Sequence, residues 1–68
     1  MAIQIQLNGD PRPLPEPLTV QALLGMLELD PRMVAIELNK AVVRRSHYES
    51  TVVEDGAEVE IVAFVGGG

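Results

Sequence analysis

At 68 residues the chain has room for one domain and one core, and a chain this short buries only ~60% of its extended surface on folding. It has no cysteine and one histidine, which excludes disulfides and a thiolate or histidine metal cage as staples, so a core must come from aliphatic packing. A formal net charge of −5, from five basic against ten acidic residues, argues against a nucleic-acid binder and points to a basic partner surface.

Ile3, Ile5 and Leu7 alternate with Ala2, Gln4 and Gln6, the period of a strand with one buried face, and Asn8-Gly9 follows as a hairpin-turn signal. Residues 10–17 hold four of the five prolines (Pro11, Pro13, Pro15, Pro17), so the returning strand is predicted to be an irregular edge strand, since proline cannot donate to a ladder. Thr19 can cap a helix whose apolar stripe is Val20, Leu23, Leu24 and Leu27. Asp30-Pro31 is expected to end that helix, because the residue before a proline avoids the helical region.

Val34, Ile36 and Leu38 then alternate with Ala35, Glu37 and Asn39 in a further strand, and Asn39-Lys40 can turn the chain into a short one over 41–43. The polar stretch 44–50 reads as a loop or a short helical turn, and Asp55-Gly56 as another turn. Val59, Ile61 and Ala63, taken as the core face, alternate with Glu58, Glu60, Val62 and Phe64 in a last strand before Gly66-Gly67-Gly68.

Two hairpin-like units flanking one helix can bury its stripe only by merging into one sheet with the helix across a face, which is the β-grasp layout. The expected fold class is α+β, a mixed four- to five-stranded sheet packed on one helix, with the first and last strands as parallel central neighbours. The domain is expected over 1–65, with 66–68 as a flexible reactive tail. No apolar run approaches ~18 residues, and Met1-Ala2-Ile3-Gln4 lacks the basic-then-apolar order of a signal peptide, so a soluble, cytoplasmic chain is expected, with no membrane partner.

No side-chain constellation points to catalysis. There is no cysteine nucleophile, His47 sits in a polar stretch, Arg44-Arg45 reads as a solvated pair, and Glu54-Asp55 with Glu58 and Glu60 lack the converging oxygens of a calcium site. Three glycines after a strand have neither a cap to make nor a turn to close, and read either as an appended or frayed tail or as an end built for presentation. Without Cβ they can thread a narrow channel, and residues 65–68 can extend ~14 Å at most, enough to present the Gly68 carboxylate inside an enzyme while the domain stays outside. On the face of the last strand opposite the helix, Val62 and Phe64 beside Glu60 offer an apolar patch rimmed by acid, a candidate docking surface.

In Val34-Ala35-Ile36-Glu37-Leu38-Asn39, Val43 with its following arginine, Asp55-Gly56, Val59-Glu60-Ile61-Val62 and Val65-Gly66-Gly67-Gly68, the chain resembles the sulfur carrier proteins of thiamine biosynthesis (ThiS-like). It departs from their usual pattern at Lys40, where glycine is frequent, at Arg44 and at Ala57. The resemblance implies that an E1-like adenylyltransferase, using ATP and magnesium, activates the Gly68 carboxylate as an acyl-adenylate. A persulfide, supplied ultimately by a cysteine desulfurase or other donor, then leaves a thiocarboxylate that a thiazole synthase accepts. Gly66 and Gly67 thread the partner's active site, the chain itself binds no cofactor, and it is a carrier and cosubstrate, not an enzyme. The alternatives are a sulfur carrier for tRNA thiolation or molybdopterin, a ubiquitin-like protein modifier, and a plain interaction module.

Overall fold

The computed structural model describes residues 1–64. In chain order the elements are β1 (Ile3–Leu7), β2 (Asp10–Leu14), β3 (Leu18–Thr19), α1 (Val20–Met26), β4 (Val34–Leu38), β5 (Ala41–Val43), β6 (Val52–Val53) and β7 (Glu58–Ala63). Short 3₁₀ turns occupy Pro31–Met33 and Arg45–His47. Five strands form one mixed sheet in the order β2-β1-β7-β4-β5, with β1 and β7 parallel at its centre, and the helix lies on one face. This is the expected β-grasp layout, with a two-stranded ladder, β3 with β6, added where no strand was anticipated.

Alternation decides which side chains enter the core. Ile3 and Ile5 from β1, Leu14 from β2, Val34 and Ile36 from β4 and Val59 from β7 are buried against Val20, Leu23 and Leu24 of α1. Val53, Ala57 and Tyr48 complete the cluster. Tyr48 sits at the end of the turn Arg45–His47, so the polar stretch 44–50 carries an aromatic core residue.

Strand β2 is the edge strand its prolines require, but it is regular: all five residues pair with β1, from Leu7↔Asp10 to Ile3↔Leu14. The reason is parity. A two-residue loop makes Leu7↔Asp10 a hydrogen-bonded pair, which puts Arg12 and Leu14 in the same class and leaves Pro11 and Pro13 with their nitrogens facing the open edge. Proline at alternate positions therefore takes nothing from the ladder.

The helix starts as expected, with the Thr19 hydroxyl accepting the Ala22 N–H at 3.0 Å. It ends at Met26, well before Asp30-Pro31. Glu28 adopts φ 58°, and its N–H donates to the Gly25 carbonyl while that of Leu29 donates to Leu24. This is a Schellman stop with glutamate in the left-handed position, and it folds Leu29 back onto the core. Asp30 instead caps the 3₁₀ turn that follows, accepting the Arg32 N–H at 2.9 Å.

The shortness of the helix also corrects the core face of β7. Seven helical residues rise only ~10 Å, whereas six strand residues run ~20 Å, so α1 cannot cover the whole strand. Val59 is buried and Ile61 half-buried, but Ala63 is exposed.

Candidate functional site

Strand β7 carries the chain from the core to its glycine end, so the site begins with what holds that strand. On one side it pairs antiparallel with β4 along five residues, Val34↔Ala63 to Leu38↔Val59. On the other it pairs with β1 only at Gln6↔Glu58 and Leu7↔Val59. Two asparagines, one from each hairpin turn, supply the rest. Asn39 Oδ1 accepts the Glu58 N–H at 2.9 Å while the Asn39 N–H donates to the Glu58 carbonyl at 2.7 Å. Asn8 Oδ1 accepts the Ile61 N–H at 2.8 Å, and its Nδ2 donates to the Ile61 carbonyl at 3.2 Å. Farther along, the Phe64 N–H donates to the Met33 carbonyl at 2.8 Å.

The predicted docking residues lie together on the outer face. Val62 is 62% exposed and Phe64 55%, and Glu60 is exposed two residues before Val62 on the same face. Across the register, Val62 stands opposite Ala35, and Glu60 opposite Glu37, which in turn faces the 73% exposed Val42 of β5. The face is thus graded, with Ala35, Val62 and Phe64 toward the C-terminal end of β7 and Glu37, Glu58 and Glu60 behind them. The three glutamates line a surface groove with Gln6 and Lys40. Glu37 and Glu60 as directly opposed like charges disfavour the fold slightly.

Other acidic and basic candidates fall outside any such site. His47, Arg44 and Arg45 are exposed on and beside a 3₁₀ turn, and Asp55 Oδ1 accepts the Gln4 N–H at 2.9 Å, a bond that fastens a loop to β1. No cluster of three or more His, Cys, Asp or Glu among the described residues could hold a metal ion, and no described helix is long and apolar enough to cross a membrane. The displaced titrations belong to Asp30 and Arg32. The Arg32 guanidinium, 2.8 Å away, and then the Arg32 N–H hold the Asp30 carboxyl down at about 2, and Asp30 raises Arg32 in return. The predicted tail residues Gly66, Gly67 and Gly68 lie outside the described residues. The asparagine grips on β7 were not anticipated: Asn8-Gly9 and Asn39-Lys40 read locally only as turns.

Comparison with known proteins places this arrangement. The ThiS family model matches residues 5–68. The sulfur carrier protein ThiS of Bacillus subtilis is 37% identical over 65 residues, which cover 94% of this chain and 98% of that protein. A thiazole synthase of Paramagnetospirillum magneticum is 46% identical over 66 residues, 97% of this chain but 20% of the synthase, so the chain spans about a fifth of that relative's length. The crystal structure of the thiamine biosynthesis protein ThiS from Geobacter metallireducens aligns with a TM-score of 0.85 at 36% identity, covering 97% of this chain and all of that one.

Proposed function

The chain belongs to the ThiS family, and from that membership we propose that it is a sulfur carrier of thiamine biosynthesis whose reacting group is the Gly68 carboxylate. The observation that carries this reading is the extent of the family match, which runs through Gly66 and Gly67 to Gly68 itself. The chemistry explains why a chain without a nucleophile suffices. A carboxylate is a poor electrophile, so an E1-like adenylyltransferase converts it with ATP and magnesium into an acyl-adenylate, releasing pyrophosphate. A persulfide sulfur, drawn from a cysteine desulfurase or another donor, attacks the carbonyl and expels AMP. Cleavage of the resulting sulfur–sulfur bond by a thiol leaves the thiocarboxylate.

A thiazole synthase then takes the sulfur, a partnership supported by the thiazole synthase whose sequence includes a segment 46% identical to this chain. Every catalytic group belongs to these partners, so the chain is a cosubstrate, not an enzyme, and it works in the cytoplasm. What it contributes is a face and an end. Val62 and Phe64, exposed apolar side chains next to Glu60, form the docking surface, and Gly66 and Gly67 carry the carboxylate inward.

Intact-mass measurement tests the proposal. Incubation with ATP, magnesium, a sulfide source and the adenylyltransferase should raise the mass by the difference between one sulfur and one oxygen, and a chain lacking Gly68 should show no gain while melting at the same temperature. Covalent adducts with other proteins would instead mark a protein modifier. No Gly68-dependent change would leave only an interaction module.

A further inference from the structure

Asn8 stands where β1 stops running beside β7. Its N–H still donates to the Val59 carbonyl at 2.9 Å, and the chain then turns away through Gly9, while β7 continues to Ala63. Over that gap the Asn8 carboxamide acts as one further strand residue, offering an acceptor to the Ile61 N–H and a donor to its carbonyl. Backbone alternation sends the polar groups of Glu60 and Val62 toward β4 and those of Val59, Ile61 and Ala63 toward the β1 side. Among the described residues no strand lies beside Ala63 on that side, and the Asn8 grip on Ile61 is the last one there.

We infer that Asn8 is a positioning residue of the carrier reaction: by fixing Ile61, its carboxamide sets the direction in which β7 delivers Phe64 and the glycine end to the partner enzyme. The inference rests on the reading of Gly68 as the reacting end. With the grip removed, the last residues of β7 are held along one edge only. A smaller fraction of molecules then points correctly at a narrow active site, and the apparent affinity falls by that fraction while the chemical step is unchanged. Asparagine suits the position twice over. It tolerates the φ of 51° that the turn imposes, and it presents a donor and an acceptor on one short planar group.

Two variants separate these contributions. Asn8→Gly keeps the backbone freedom, since Gly-Gly fits a two-residue hairpin loop, and removes the carboxamide. Asn8→Asp keeps an acceptor for the Ile61 N–H but sets a carboxylate against the Ile61 carbonyl. Amide hydrogen exchange and steady-state kinetics of adenylation, with the carrier as varied substrate, are measured on both and on the wild type.

In Asn8→Gly, exchange at the Ile61 amide should accelerate while that at Leu24 holds, and KM should rise roughly three- to tenfold with kcat unchanged. Asn8→Asp should fall between it and the wild type, and it carries the test should Asn8→Gly fail to fold. Unchanged KM despite lost Ile61 protection, or a fall in kcat alone, overturns the role of Asn8. A wild-type chain that the adenylyltransferase does not process would sink the Gly68 reading, and this inference with it.

Discussion

The turn between β4 and β5 is built on an unfavourable residue, and replacing that residue should stabilise the domain. Asn39 and Lys40 form a two-residue loop between Leu38 and Ala41 with φ of 52° and 70°, the pattern of a type I′ turn. The equivalent loop after β1 has Asn8 at 51° and Gly9 at 87°, so one hairpin has glycine where the other has lysine. An L-residue in the left-handed region costs about 1–2 kcal/mol, whereas glycine gives back about 0.5–1 kcal/mol in chain entropy. Lys40→Gly should therefore gain about 0.75 kcal/mol net at the midpoints of these ranges, or roughly 3–6 °C in Tm for a domain of this size.

A second effect opposes the gain, because Lys40 lines the groove that holds Glu37, Glu58 and Glu60, and its charge is lost in the variant. Exposed pairs contribute about 0.2–1 kcal/mol at most and are screened by salt. Lys40→Ala loses the same charge but keeps the strained Cβ, so the difference between the two variants isolates the backbone effect. Thermal unfolding followed by far-ultraviolet circular dichroism, at low salt and at high salt, should rank Lys40→Gly above Lys40→Ala in both. Equal melting temperatures for the two variants would refute the argument from φ.

The outer face and the acidic titration yield two more outcomes. Phe64→Glu should leave the circular-dichroism spectrum intact, since the side chain is largely exposed and only the backbone N–H bonds to Met33, yet weaken adenylyltransferase binding by about tenfold or more, as loss of an apolar anchor does. Unchanged affinity by calorimetry would move the docking face elsewhere. Asp30→Asn should lower Tm at neutral pH and match the parent in acid. The folded pKa of about 2 lies below the unfolded value of about 3.9, so the stabilisation is present above pH ~4 and vanishes as pH falls through the folded value. A gap in Tm that persists in strong acid would show that the Asp30 charge is not its source.

Much of the sheet could be read from alternation, because β1, β4 and β7 each bury one face and expose the other, and a period of two registers that directly. The same parity puts Val62 and Phe64 on the outer face, since an exposed position needs no partner to be recognised. Ala63 failed because its burial depends on how far α1 reaches, and that length was set by the left-handed Glu28 and the burial of Leu29, not by Pro31. The β3–β6 ladder escaped because two-residue strands carry no period, and Tyr48 because one buried aromatic in a polar stretch looks like its neighbours.

The two asparagines show most clearly where local reading stops. Asn8 and Asn39 are legible as turn residues because a positive φ is a local demand. Their carboxamides answer a different demand, made by a strand that lies 53 residues away in the case of Asn8 and 19 in the case of Asn39. That strand is central, but its neighbours are hairpins whose turns arrive before it ends. At Asn39 the backbone N–H still meets the Glu58 carbonyl and the carboxamide supplies the acceptor for the Glu58 N–H, whereas at Asn8 the neighbour's backbone has turned away and the carboxamide meets both the N–H and the carbonyl of Ile61. Asn39 thereby secures Glu58 where β7 begins, and Asn8 secures Ile61 two residues before β7 ends, so the residue type that makes the hairpins also fastens the last strand near both of its ends.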